Sequence, residues 1–350
     1  MGQLGYQGTT SGPHDGSFVN GMVDGGDQEY DDSDDDADVG VTERYDVGDA
    51  GLHRVPTSEF DFTDLTKPVE CRRMSISVRD QFQILKERRG LIARALHSRT
   101  AQNQSQLATF PIHGGRAVNA RETAPGQFPY HTLVLADNRV LCGGALLSVS
   151  VVLTAAQCVF RYKTWLVQLG SVELLVQNPH RQLIEGKRVK THPLYSDKRT
   201  NDDIAVVFLK TSAVLNSYVK TVRLPTDMMR EDLVGRMGIV AGWGRTHVLS
   251  RCSQVLLYMP LVVDSNANCK AYFPNYNART SFCAGGVYGA SICNGDNGSP
   301  FTFGTTTGYV VIGVASFVFS EHCLTDFPTG FTRVTNYLTW ISKTSGIKLT

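Results

Sequence analysis

The chain lacks any run of about 18 consecutive apolar residues, the length a helix needs to cross a bilayer, so no membrane span is expected. It also lacks an apolar leader core: residues 1–30 are glycine-rich and acidic, and no secretory signal is visible there. MGQLGY fails the N-myristoylation pattern, because Tyr6 stands where serine or threonine is required. Cysteine is nearly missing from residues 1–111, which hold only Cys71, so no disulfide-stapled module fits in that third. Basic residues are scarce in residues 1–70, with 3 Lys/Arg against 17 Asp/Glu.

What is present divides the chain by charge. The overall +1 conceals −14 over residues 1–70, +6 over 71–111 and +9 over 112–350. With GGDQEYDDSDDDADVG at 25–40, the first segment has too little apolar surface to offset the entropy of ordering, and residues 1–70 read as disordered. Residues 71–111 read as a basic linker. Phe82, Leu85, Ile92 and Leu96 recur at roughly helical spacing there, so an amphipathic helix and a linker resting on the folded part both fit. Gly90 in the middle costs a helix about 1 kcal/mol against alanine. Arg88–Arg89 is a candidate processing site, and Asn103, in an Asn-x-Ser sequon, a candidate glycan site.

From residue 112 onward, short β-rich runs alternate with turn signals. YHTLVLA (130–136), IAVVFL (204–209), MGIVAGWG (237–244) and YVVIGVASF (309–317) predict an all-β sandwich or barrel. Val334, Tyr337, Leu338 and Ile341 recur at i, i+3, i+4, i+7 and predict one closing helix, with Thr332 or Thr335 as its cap.

Ten short motifs appear in order across residues 112–350: IHGG (112–115), GQFPYHTLV (126–134), CGGALL (142–147), LTAAQC (153–158), DDIAVV (202–207), GWG (242–244), FCAG (282–285), GDNGSP (295–300), GVASF (313–317) and the closing helix. Together they resemble the trypsin/chymotrypsin-like serine proteases along the whole segment. The resemblance implies a trypsin-like double six-stranded β-barrel with a C-terminal helix, preceded here by the disordered acidic segment. It also implies the disulfides Cys142–Cys158, Cys269–Cys283 and Cys293–Cys323, of a kind that persists in an oxidising, extracellular compartment. Cys71 and Cys252 match no family pair. A bond between them would tether the N-terminal segment; pairing with another chain and two free thiols are the alternatives. The first is expected. An extracellular setting with no visible leader implies that the true start, with its signal, is missing.

By the same resemblance the triad positions are Gln157, Asp203 and Asn297, so two of the three are carboxamides. A neutral amide has no ionisable proton near pH 7, and Gln157 cannot accept the proton that activates a hydroxyl. Asn297 offers no oxygen nucleophile. Asp203 keeps a structural role, with Ser316 at the position that hydrogen-bonds it and the Gln157 amide as a donor. Ser299, two residues past Asn297, points to another face of the turn, with no histidine placed to serve it. The oxyanion-hole positions are Gly295 and Asn297. Active relatives are cut before the first motif, and the new terminus pairs with the residue matching Asp296. Here Pro111 precedes Ile112 and the nearest upstream basic residue is Arg99, so that cut is not expected. Ser291 at the pocket base, with Val318 and Thr329 at positions where glycines open it, implies a shallow, elastase-like pocket. The stretch 171–183 lacks the carboxylates of the family's calcium loop, so no metal and no cofactor are expected.

The reading is a secreted, non-catalytic serine protease homologue that binds or regulates. The resemblance implies a cofactor or decoy in an extracellular proteolytic cascade, immune cascades among them. The alternative is a residual or unconventional serine endopeptidase cutting after small apolar residues. Partners are expected among extracellular proteases, zymogens, inhibitors or sulfated glycans, not nucleic acid. Arg181, Lys187, Arg188 and Lys190 are the candidate anion-binding residues.

Overall fold

The computed structural model describes residues 70–71, 120–246, 250–286, 291–318 and 327–349. Glu70 and Cys71, at the junction of the expected disordered segment and linker, form a short strand; the rest of both segments, the 76–99 helix, Asn103, Ile112 and Cys323 lie outside the described residues.

Fourteen strands are described: β1 (Glu70–Cys71), β2 (Arg121–Glu122), β3 (His131–Ala136), β4 (Val140–Ser148), β5 (Val151–Thr154), β6 (Trp165–Leu169), β7 (Gln182–Thr191), β8 (Ala205–Leu209), β9 (Met237–Gly242), β10 (Leu257–Val263), β11 (Ser281–Gly286), β12 (Pro300–Thr305), β13 (Gly308–Val318) and β14 (Thr329–Arg333). Strands β3 to β8 close on one another, with β5 pairing both β8 and β4; strands β9 to β14 close likewise through β10 and β11. The result is two six-stranded antiparallel barrels, to which β1 and β2 are short additions.

The sequence makes these strands for identifiable reasons. β3 and nearly all of β4 are buried throughout, as continuous apolar runs should be. β10 alternates instead, burying Met259, Leu261 and Val263. Pro260 interrupts it at no cost, because β2 pairs only with Leu257–Tyr258 and β11 only from Leu261 onward; the missing N–H falls between them. The second barrel is filled by aromatic rings: Phe282 stacks on Phe331 at 5.2 Å, and Phe301 meets both edge-on.

The chain's closing element departs from expectation. Val334–Tyr337 form a 3-10 turn and only Leu338–Ser345 (α2) is α-helical, following α1 (Asn266–Tyr272). No side chain caps α2: its N-cap is Tyr337, and the Thr332 hydroxyl is spent on the Asp203 carbonyl at 2.8 Å. Gly346, at φ +76, ends it, its N–H reaching Ser342 O at 2.8 Å. Val334, Tyr337, Leu338 and Ile341 all join the core that holds the first barrel's Leu133, Leu153 and Val206.

Candidate functional site

The first site residue sits on a 3-10 turn, Ala156–Cys158, that follows β5 and is pinned to β4 by Cys142–Cys158. That turn aims Gln157 at Asp203. The Gln157 backbone N–H donates to Asp203 Oδ1 at 2.8 Å, and its side-chain Nε2 donates to Asp203 Oδ2 at 2.5 Å and to the Ser316 carbonyl at 2.7 Å. Ser316 Oγ adds a bond to Asp203 Oδ2 at 2.6 Å. Gln157, Asp203 and Ser316 are all buried. The carboxylate thus receives three donors and holds the carboxamide in one orientation. Gln157 Oε1 then faces away, with no partner among the described residues. Gln157, at the position facing the cleft side of Asp203, has no basic nitrogen with which to take a proton from a hydroxyl.

Asn297 is fully buried. Its carbonyl accepts the Gly143 N–H at 2.7 Å, which seats the turn against β4. Gly298, next in the chain, stands at φ +80 with its N–H on Ala315 O at 2.8 Å. Gly295 stands at φ +101, a conformation that favours glycine. Ser299 is fully buried as well, and its hydroxyl has no hydrogen-bond partner among the described residues. Its main chain is committed to Asp296 O and the Ala315 N–H, and its Oγ lies against Gly143 of β4 and Gly242 of β9.

Asp296 is buried, its Oδ1 taking the Gly244 N–H at 2.8 Å and its Oδ2 the Cys293 N–H at 3.0 Å. Burial outweighs both bonds and pushes its pKa up to about 6. Beside it lies a recess with about 10 Å³ of free space, room for about one water molecule, lined by Ser291, Ile292, Gly244, Arg245 and Met259 among others. Ser291 therefore shares a recess with Asp296. Val318 and Thr329, expected in the same pocket, face each other across β13 and β14 and do not line that recess. Cys293 is disulfide-bonded, and its expected partner Cys323 lies outside the described residues.

Cys71 and Cys252 are joined, as are Cys269 and Cys283. Of the four anion-binding candidates, Arg181 is engaged by its own loop: its guanidinium donates to Leu175 O at 2.7 Å and to Gln177 Oε1. Lys187, Arg188 and Lys190 are exposed on β7 and have no acidic partner among the described residues, while nearby Glu185 is taken by Lys210. Arg188 lies over the Phe208 ring at 3.7 Å, which orients the cation and leaves its charge in place. The loop at 171–183 is held by Ser171, Asn178 and Gln168 side chains, and among the described residues no group of three or more His, Cys, Asp or Glu is placed to hold a metal.

A family model described as Trypsin matches residues 117–341. The chain belongs to the trypsin family. Collagenase from Hypoderma lineatum is 30% identical over 255 residues, covering 71% of this chain and 94% of the relative. Chymotrypsin-like elastase family member 1 from Macaca fascicularis is 32% identical over 255 residues, covering 67% and 91%. The solved structure of HL collagenase superposes with a TM-score of 0.60 at 28% identity, covering 66% of this chain and all of that one.

Two buried groups in this trypsin-family chain set opposite pH responses. His131 on β3 donates Nε2–H to Ala241 O at 2.6 Å, tying the barrels together, and burial lowers its pKa to about 4. Its neutral form stabilises the fold above about pH 6.5, and that contribution is lost as pH falls through 4. Asp296 works the other way: its contribution is complete below about 3.8 and is lost as pH rises through 6. Each is worth about 3 kcal/mol, so the two offset one another between pH 4 and 6. Asp296→Asn is expected to remove the compensation and steepen acid unfolding. Urea midpoints at pH 7, 5.5 and 4 would show it; parallel pH profiles for wild type and variant would contradict it.

Proposed function

We propose that this chain is a secreted, non-catalytic member of the trypsin family that acts as a binding or regulatory module among extracellular proteins. The observation that carries this reading is the Gln157–Asp203–Ser316 arrangement, in which a carboxamide with no basic nitrogen fills the general-base position and is held there by three hydrogen bonds. The buried Asn297, with no hydroxyl to activate, supports it from the other side. Its relatives bear the names of proteases, so the rival is a residual endopeptidase acting on small apolar residues. A fluorophosphonate probe separates the two: the purified protein is expected to remain unlabelled and to cleave elastase-type peptide substrates at background. Labelling at Ser299 would sink the non-catalytic reading.

Partners under this reading include acidic proteins and sulfated glycans, which suit the exposed Lys187, Arg188 and Lys190 on β7. The −14 segment of the same chain competes for that surface at roughly millimolar effective concentration through tethering. Each exposed contact is worth about 0.2–1 kcal/mol, so the effect is collective and fades with salt. Heparin-column retention is expected to rise when residues 1–70 are deleted and to fall when Lys187, Arg188 and Lys190 become alanine. Identical elution of full-length and truncated protein at low salt would remove the competition from the picture.

A further inference from the structure

His131 on β3 uses only one of its two ring nitrogens in a hydrogen bond. Nε2 lies 2.6 Å from Ala241 O on β9; a carbonyl only accepts, so the proton sits on Nε2 and Nδ1 carries a lone pair. The Trp243 ring stands edge-on to the imidazole at 5.2 Å and fixes its plane. The Thr132 main chain offsets part of the effect of burial on the ring, yet Nδ1 is buried and makes no hydrogen bond among the described residues. Thr123 Oγ1 is in the same condition, buried and without a partner there. Buried polar atoms in folded proteins are nearly all paired, so two orphans in one place point to a partner.

Both residues line one recess. It has about 10 Å³ of free space, enough for one water molecule. Phe128, Val172, Leu256 and Tyr218 also line it, and Gly126 and Gly170, at φ +77 and +70, turn the chain at its rim. Ser171 is a lining residue too, but its hydroxyl is spent, accepting from Asn178 Nδ2 at 2.6 Å and donating to Glu173 O at 3.0 Å. The polar atoms select the ligand. An acceptor nitrogen needs a ligand that brings a hydrogen, and the Thr123 hydroxyl donates or accepts. An anion would face the Nδ1 lone pair with no cation to balance it, and a metal ion would find no carboxylate, because no charged side chain lines the recess. An apolar ligand would leave both orphans unpaired. Water fits the size and the pairing.

We propose that this recess is a binding site for one water molecule, held between His131 Nδ1 and the Thr123 hydroxyl, and that this water links the two barrels. Around it the connections are already in place. Thr123 N–H donates to Leu256 O at 2.9 Å, and Leu256 N–H donates to Val172 O at 2.6 Å. Val172 O also takes Trp243 Nε1 at 2.9 Å, and Trp243 packs on His131. The water closes this circuit, which otherwise stops at two unpaired atoms. The site goes beyond the binding role proposed above and does not depend on it.

The test compares the wild type with Thr123→Val, which keeps the shape and loses the hydroxyl, and Thr123→Ser, which keeps the hydroxyl. In crystal structures, a density peak within hydrogen-bond distance of both His131 Nδ1 and residue 123 is expected in the wild type and in the serine variant, and not in the valine variant. Hydrogen exchange at the Leu256 amide is expected to quicken roughly tenfold in Thr123→Val and to stay near the wild-type rate in Thr123→Ser. An empty recess in the wild type, or a direct Thr123–His131 bond closing it, would overturn the site. A peak that persists in Thr123→Val would overturn the bridge, and equal exchange in all three proteins would overturn the link between barrels. If the valine variant does not fold, histidine-labelled wild type still decides: magnetisation transfer from a long-lived water to the His131 Cε1 proton is expected by NMR, and its absence would overturn the site.

Discussion

Gln157→His and Asn297→Ser, introduced together, are expected to leave peptide hydrolysis near background. Removing a triad member from an active enzyme of this kind costs roughly 10⁴ to 10⁶ in rate, so restoration ought in principle to show a very large gain. Two features hold it back. Pro111 precedes Ile112, and upstream of it no Lys or Arg stands nearer than Arg99, so trypsin-like cleavage is not expected to release the amino terminus that active relatives use. Asp296, the residue that would receive that terminus, already has its carboxylate taken by the Gly244 and Cys293 N–H groups. Adding Pro111→Arg and treating the triple variant with trypsin is expected to yield weak hydrolysis of substrates with small apolar side chains, measured with chromogenic peptides. Full activity from the double change alone would show that the reasoning about activation is wrong.

Asp203→Ala is expected to destabilise the protein by about 3–5 kcal/mol, with a fall in melting temperature of roughly 10 °C. The loss does not depend on catalysis. Deleting the carboxylate strands the Gln157 backbone N–H, one Nε2 hydrogen bond and the Ser316 hydroxyl in a dry interior, and each buried unsatisfied group costs about 1–3 kcal/mol. Asp203→Asn retains an acceptor oxygen but puts an amide donor against another donor, so an intermediate loss is expected. Thermal unfolding followed by circular dichroism measures both. An alanine variant as stable as the wild type would mean that Asp203 contributes nothing to the fold.

Much of the fold was legible because its signals are local. Runs such as HTLVLA need only period and composition to read as strands, and the order of ten motifs carries the two barrels. Asp203, Gln157 and Ser316 lie far apart in sequence, and it took the family resemblance to bring them together. Other features had no local signal. The seat of Glu70–Cys71 on β4 depends on a bond between residues 181 apart, and two-residue strands leave no periodicity to read. Arg181 reads as one more cation in a basic run, yet its guanidinium is held by the Leu175 carbonyl of its own loop. The closing helix starts later than its apolar spacing implies: Thr332 lies on β14 with its hydroxyl on the Asp203 carbonyl, and Val334–Tyr337 form a 3-10 turn first.

The last helix also bears on how the chain comes together during synthesis. Tyr337 reaches Asp202 with its hydroxyl at 2.9 Å and packs edge-on with His192, as does Trp340, so residues near the end of the chain complete the packing around the first barrel. That barrel's strands leave the ribosome long before α2 exists. Domains that emerge first commonly fold first. Here the partners of His192 and Asp202, which flank β7 and β8 of the first barrel, are made only when translation is nearly over. A premature stop anywhere before Val334 therefore harms the half of the protein farthest from it in sequence.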